Sequence, residues 1–241
     1  MNNLTLLALD TSTEACSVAL LHKGERTHID ELSQRTHTKR ILPMINEILV
    51  QSGVVLNQVD ALVFGRGPGS FTGVRVGAGI AQGLALGADL PVIPISDLTA
   101  MAQAAYEVYR AEQVIAAIDA RMNEVYFCQL KAQKVRSEFG EFLQWQPVVE
   151  EQVCTPERML EQIKKQNISE DWLGVGTGWK AYPLLDEANI VEQSDIELPS
   201  AQYMLSLALP LWFNRQIISA AEIEPIYLRN DVTWKKLPGR T

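Results

Sequence analysis

Histidine and cysteine, the residues from which most protein metal sites are built, are scarce: three of each in 241 residues. Cys16, Cys128 and Cys154 are odd in number, far apart and form no C-x-x-C, which excludes a disulfide framework and a structural zinc and fits a reducing compartment. They read as small buried hydrophobes. His22, His28 and His37 form no H-x-x-x-H, so no metal site is expected from this chain alone. Basic charge is also short, with 21 Lys plus Arg against 29 Asp plus Glu and a net charge of −8. At a pI near 5.0 the chain as a whole does not attract phosphate backbones, and any nucleic-acid role is local or borrowed from a partner. Long apolar runs are missing too. The N-terminal run, Leu4 to Leu9, has no basic stretch before it and ends at Asp10, so neither a signal peptide nor a membrane span is expected, and the location expected is cytoplasmic. G-x-x-x-x-G-K-[ST], G-x-S-x-G and S-x-x-K are absent, which excludes a P-loop and those nucleophile signatures.

What is present describes a folded α/β protein. Apolar residues make up 47% and charged residues 21%, enough to bury a sizeable core in one large or two small domains without a disulfide or metal. Leu4 to Leu9 and Cys16 to Leu21 read as buried strands joined by the polar turn Asp10 to Glu14, and Arg26 to Glu31 as a more polar third strand. Ile41, Leu42, Ile45, Ile48 and Leu49 recur at helical spacing until Gly53. Ala61 to Gly65 is a strand, followed by a glycine-rich loop and a helix from Val74 to Ala88; Val92 to Ile95 is another strand. Further helices are read at Thr99 to Tyr109, Pro156 to Gln166 and Ser200 to Phe213, with a turn between strands at Arg136 to Glu141.

The second half repeats the first. Val114 to Ile118, the turn from Asp119 to Glu124, and Val125 to Leu130 follow the opening hairpin at a spacing of about 109 residues, Asp10 falling on Asp119. Leu173 to Val175 with Gly176, Thr177 and Gly178 echoes the earlier strand and glycine loop. Two closely apposed lobes follow, with residues 1–98 and about 215–241 in the first and 99–214 in the second.

Three places carry chemistry. The turn Asp10-Thr11-Ser12 can hold a phosphate through hydroxyls and amides or a cation through its carboxylate, or it is simply Asx and hydroxyl turn chemistry. In the loop Gly67 to Gly73, backbone amides beside Ser70, Thr72 and Arg75 can face an anion. Gly79, Gly83 and Gly87 put a face without side chains on the following helix, at a cost of about 1 kcal/mol per position relative to alanine. Another backbone should therefore approach closely, from this chain or from a partner subunit. The C-terminus holds the one basic cluster, Tyr227, Arg229, Trp234, Lys235, Lys236 and Arg240, which suits RNA or a protein partner, or is a solvated tail.

Asp10-Thr11-Ser12, His37-x-x-x-Ile41-Leu42-Pro43, Gly65-x-Gly67-Pro68-Gly69-Ser70-Phe71-Thr72-Gly73-Val74-Arg75, Asp119-Ala120-Arg121-x-x-Glu124-Val125-Tyr126 and Pro225-x-Tyr227-Leu228-Arg229 together resemble the bacterial TsaB (YeaZ) family along essentially the whole chain. The resemblance implies an actin-like ATPase, sugar kinase and Hsp70 (ASKHA) superfold of two duplicated lobes. It implies a non-catalytic partner of TsaD that acts with TsaE in transfer of threonylcarbamoyl from threonylcarbamoyl-AMP to N6 of the adenosine beside the tRNA anticodon. Where TsaD relatives carry a metal-binding H-x-x-x-H, Ser96 to Met101 has no histidine. Asp119-Ala120-Arg121 lacks the glycine of a kinase phosphate turn, and Gly174 to Trp179 matches an adenosine motif in part. No cofactor of its own is therefore expected; ATP or ADP and metal are expected on TsaD or TsaE. Asp10, Thr11, Ser12, Gly67, Gly69, Ser70, Asp119, Gly176 and Gly178 would be a vestigial nucleotide site. The partner surface implied for a TsaD heterodimer, or a homodimer without TsaD, is His37, Ile41, Leu42, Ile45, Leu49, Arg75, Gly79, Ile80, Gly83, Leu84 and Gly87, with tRNA reached only through the complex. The alternative is an enzyme, an ASKHA-type small-molecule kinase or a glycoprotease-like protein.

Overall fold

Leu6–Asp10 is apolar up to its last residue and wholly buried, as befits a strand hydrogen-bonded on both sides. The computed structural model describes residues 3–32, 36–166, 171–188 and 190–229. In chain order the first half is β1 (Leu6–Asp10), β2 (Ala15–His22), β3 (Glu25–Leu32), α1 (His37–Gln51), β4 (Ala61–Gly65), α2 (Phe71–Ala88), β5 (Val92–Ile95) and α3 (Asp97–Tyr109). The second is β6 (Gln113–Arg121), β7 (Glu124–Ser137), β8 (Gly140–Cys154), α4 (Pro156–Lys165), β9 (Leu173–Val175), α5 (Gly178–Ala181), α6 (Pro183–Ala188), β10 (Glu192–Gln193) and α7 (Ala201–Phe213).

The sheets have orders β3-β2-β1-β4-β5 and β8-β7-β6-β9-β10, the same topology twice. In each, the first three strands are antiparallel and the last two join in parallel. The repeat slips by one residue: Asp10 pairs with Ser17, whereas Asp119 pairs with Val125 rather than Tyr126, and a bulge between Asp119 and Arg121 absorbs the difference.

The last helix of each half crosses to the other sheet. α3 packs on β6, β7 and β9, α7 packs on β1, β2, β4 and β5, and the two helices meet between the sheets. The Ala201 amide donates to Ser17 Oγ (2.9 Å), pinning the start of α7 to β2, and Trp145 Nε1 donates to Gln103 Oε1 (3.0 Å), pinning β8 to α3. The 99–214 lobe expected from sequence includes α7, whose strand contacts are chiefly with the first sheet. One core lies between the sheets; α1 and α2 close a second outside the first sheet, and α4, α5 and α6 a third outside the second. All three cysteines are free and buried, and burial pushes the thiols of Cys16 and Cys154 up to about 12 and about 11. No helix among the described residues is long and apolar enough to cross a membrane.

Two elements start earlier than periodicity suggests. α1 begins at His37, before its apolar repeat, and α2 begins inside the glycine loop because Ser70 Oγ accepts from the Gly73 amide (3.0 Å) as an N-cap. α2 lies against β1 and β4 through Gly73, Val74, Gly77, Ala78, Ala81 and Ala85, while Gly79, Gly83 and Gly87 face outward, and a Cβ on any of the three would meet nothing within 4 Å. Packing within the chain therefore does not explain that stripe. The two glycine sets should separate cleanly in thermal melts. Gly79→Ala should raise stability by about 0.5–1 kcal/mol, roughly 1–4 °C, because it adds helix propensity in open space. Gly73→Ala should cost at least about 1–3 kcal/mol, because its Cβ would lie under 3.0 Å from the Thr11 carbonyl oxygen.

Candidate functional site

Asp10 ends β1 and is fully buried. It accepts from the Ser12 amide at Oδ1 (3.0 Å) and from Ser12 Oγ at Oδ2 (3.1 Å), an Asx-type turn. Asp97, in the first turn of α3, is equally buried. Its Oδ2 accepts from the Gly67 amide (2.7 Å), and its own amide donates to the Gly67 carbonyl (3.0 Å). The two carboxylates converge on Gly65, where a Cβ would lie under 3.0 Å from Oδ1 of both aspartates. Burial, the larger cause, pushes Asp10 up to about 6 against the pull of its hydrogen bonds. Burial and then the Asp10 charge push Asp97 well above the usual carboxylate range. The two buried carboxylates face one another at Gly65, and placing both charges so close out of water favours retention of a proton.

The glycine loop folds onto this turn. The Ser70 amide donates to the Ser12 carbonyl (2.6 Å) and Thr11 Oγ1 donates to the Gly73 carbonyl (2.7 Å). Cβ atoms on Gly69 and Gly73 would lie under 3.0 Å from the Ser12 and Thr11 carbonyl oxygens. The structure thus brings Asp10, Thr11, Ser12, Gly67, Gly69 and Ser70 into one cluster. The amides of Ser12, Gly67, Ser70 and Gly73 answer protein oxygens there.

Asp119 lies in the second hairpin. Its Oδ1 accepts from Tyr182 Oη (2.7 Å) and the Arg121 amide (2.9 Å), and its amide donates to Thr177 Oγ1 (3.1 Å). Gly176 (φ +106°) and Gly178 press on the Ala117 carbonyl, so both are glycines for close approach to β6. Ion pairs join the lobes: Arg121 meets Glu14 at 3.0 Å across the two hairpin tips, and Arg66 meets Glu151 at 3.1 Å. Ser96 Oγ also donates to Glu151. The C-terminal segment runs over the same region, the Ile226 amide donating to the Arg66 carbonyl (2.8 Å). Arg229 Nε donates to Glu124 Oε2 (2.9 Å), and its Nη2 to the Ala120 carbonyl (3.1 Å). Glu124 falls in a motif of the family resemblance and Glu14 in the first hairpin turn, but sequence patterns assign neither a partner and do not single out Asp97 or Glu151; the usable signal for Asp97 is an acid just past an apolar strand, as at Asp10. Among the described residues no three His, Cys, Asp or Glu side chains gather as a metal site.

The outer face of α1 and α2 differs in part from the expected partner surface. Ile41, Ile45 and Leu49 are buried in the first-lobe core, because the apolar repeat that marks an amphipathic helix is the face it turns to its own protein. Ile80 and Leu84 are half-buried against the same core, and His37 is half-buried. Leu42 and Val50 of α1 and Phe71 and Leu86 of α2 are exposed, as are the bare glycines. At the N-terminal end of α2 the Arg75 guanidinium lies 3.2 Å from the Phe71 ring centre and 4.8 Å from that of Tyr227. Of the C-terminal residues singled out, Tyr227 and Arg229 are thus placed; Trp234, Lys235 and Lys236 lie outside the described residues.

Comparison with known proteins gives a consistent result. The model of the TsaD family, tRNA N6-adenosine threonylcarbamoyltransferase, matches residues 25–225. A Haemophilus influenzae protein named tRNA threonylcarbamoyladenosine biosynthesis protein TsaB is 70% identical over 240 residues, 100% of both chains. Its Escherichia coli namesake is 47% identical, covering 98% of this chain and 99% of its own. A crystal structure from Pseudomonas aeruginosa, described as an uncharacterized protein with similarity to peptidase YeaZ, is 41% identical with a TM-score of 0.79, covering 94% of this chain and 100% of its own.

The upward shift of both carboxylates makes stability fall with rising pH. Below about pH 4 both aspartates are protonated whether the chain is folded or not; above it the unfolded chain ionises while the folded pair holds its proton, so stability is lost through about 6 for Asp10 and further for Asp97. Asp97→Asn keeps both hydrogen bonds and removes the second charge. It should raise stability near pH 8 by about 1 kcal/mol or more and flatten the decline between about pH 5 and pH 8 in thermal melts. An unchanged slope would mean that Asp97 does not contribute to the decline in this range.

Proposed function

The chain belongs to the TsaB family of tRNA threonylcarbamoyladenosine biosynthesis proteins, and from that membership we propose that it is the non-catalytic scaffold subunit of the synthase. In this reading it binds TsaD through the outer face of α1 and α2 and, with TsaE, supports threonylcarbamoyl transfer from threonylcarbamoyl-AMP to the adenosine beside the anticodon. Alone, it pairs with a second copy through the same face.

The observation that carries the reading is the outward glycine stripe. Three interior glycines cost α2 about 3 kcal/mol relative to alanine, and nothing within the chain approaches them. Such a cost makes sense where a second helix comes within backbone distance, and exposed Leu42, Val50, Phe71 and Leu86 supply apolar surface on α1 and α2. The interior of the turn and glycine loop supports the non-catalytic half of the proposal, since the hydroxyls and amides that would meet a phosphate are engaged with one another.

Purified TsaD and TsaE with tRNA and threonylcarbamoyl-AMP should form product when this protein is added and little without it. Product or ATP hydrolysis by this chain alone would overturn the reading and make Asp10, Ser12 and Asp119 catalytic candidates. The interface has its own test. Gly83→Glu should abolish co-elution with TsaD on a sizing column while leaving the free chain folded. Gly83→Ala should stabilise the free chain by about 0.5–1 kcal/mol yet weaken the complex, since a methyl group would occupy space the partner needs. Retained complex with Gly83→Glu would move the interface elsewhere.

A further inference from the structure

A cavity of about 310 Å³ lies between the C-terminal end of β5, the start of α3, the β7–β8 hairpin and the last turns of α7. Pockets that take small organic ligands start at roughly this size. Its walls mix polar side chains with apolar and aromatic ones: Phe142 and Trp145 come from β8, Leu211 and Phe213 from α7. The Trp145 ring nitrogen already donates to Gln103, so this residue needs no polar partner from a ligand.

Among the lining residues Arg66 alone carries a charge; the Ser96 hydroxyl on the same wall already donates to Glu151. Arg66 donates to Glu151 through Nη2 at 3.1 Å. A guanidinium has five N–H donors in a planar fork, so the contact with Glu151 leaves donors for a further acceptor. A carboxylate fits that requirement, since it can take two parallel N–H bonds from the fork. The rest of the lining narrows the class. A nucleotide would bring several negative charges to one cation, and a zwitterionic amino acid would bury its ammonium with no acid among the lining residues.

We propose that this cavity is a binding site for a small aromatic carboxylate, its acid group on Arg66 and its ring among Phe142, Trp145 and Phe213. Such a ligand would touch both sheets and α7 at once, beside the Arg66–Glu151 pair that joins the lobes. The proposal is independent of the threonylcarbamoylation reading and is tested on the full chain without partners.

The probes are 3-phenylpropionate and its amide, followed by ligand-observed NMR and titration calorimetry. Saturable one-site binding of the acid is expected, with the amide at least about tenfold weaker because a charge-assisted contact is lost. Leu211→Trp, which fills the cavity, should remove binding of both. Arg66→Lys, which keeps a charge beside Glu151 but loses the planar fork, should weaken the acid and leave the amide unchanged, and it serves if Leu211→Trp does not fold. Equal affinity for acid and amide, acid binding undiminished by either variant, or no saturation by about 10 mM would each overturn the proposal.

Discussion

Backbone-to-backbone contact between the Asp10–Ser12 turn and the glycine loop is the constraint on which the rest of the first lobe depends. It requires hydrogen in place of Cβ at Gly65, Gly69 and Gly73, where any side chain would strike a carboxylate or carbonyl oxygen. Once those surfaces meet, Ser70 caps α2 and Asp97 reaches the Gly67 amide, so the direction of α2 and the start of α3 follow from one contact. The glycines serve close approach; φ is strongly positive only at Gly67 in this loop. A motif that reads as an anion cradle is here a joint between a strand, a loop and two helices.

The second lobe builds the same joint less tightly. Gly176 and Gly178 press on β6 as Gly69 and Gly73 press on the Asp10–Ser12 turn, and Tyr182 and Thr177 tether Asp119 where the first lobe tethers Asp10 with Ser12. Asp119 keeps a partly exposed side chain with Arg121 beside it, whereas Asp10 is buried. The two lobes are then held by charges near their hairpins, Glu14 with Arg121 and Arg66 with Glu151, and by Arg229 on Glu124. Ion pairs with this much exposure contribute little each, and their effect is to fix how the hairpins face each other. The fold is the two-lobed ASKHA type that the motifs imply, with two mixed sheets flanked by helices.

Much of this was legible in sequence because apolar runs and glycines carry strong local signals. Leu6–Asp10, Ala61–Gly65 and Val92–Ile95 are short strands buried along most of their length, and their composition alone marks them. Glu192–Gln193 and Gly178–Ala181 are too short to show any period, and the outer part of the β7–β8 hairpin is largely exposed, so no buried run marks its length. The joint was visible as two separate motifs, but the meeting of Asp10 with Asp97 depends on β1, β4 and β5 lying side by side, which no local pattern encodes. The same limit explains α1: periodicity identifies the face that will be buried, and Ile41, Ile45 and Leu49 are buried by the chain itself.

The crossing of α3 and α7 has a consequence for how the chain reaches this state. The inner face of the first sheet is covered by a helix nearly two hundred residues further on, as the bond from Ala201 to Ser17 records with a separation of 184. Contacts that distant in sequence are slow to form because a long loop must close before they contribute. During synthesis the first sheet can hydrogen-bond and gain α1 and α2, but Leu6, Ala8, Val63 and Ile93 stay uncovered on one side until Ala201–Phe213 emerges. Neither half is a folding unit by itself, and the chain closes its core only when nearly all of it has been made.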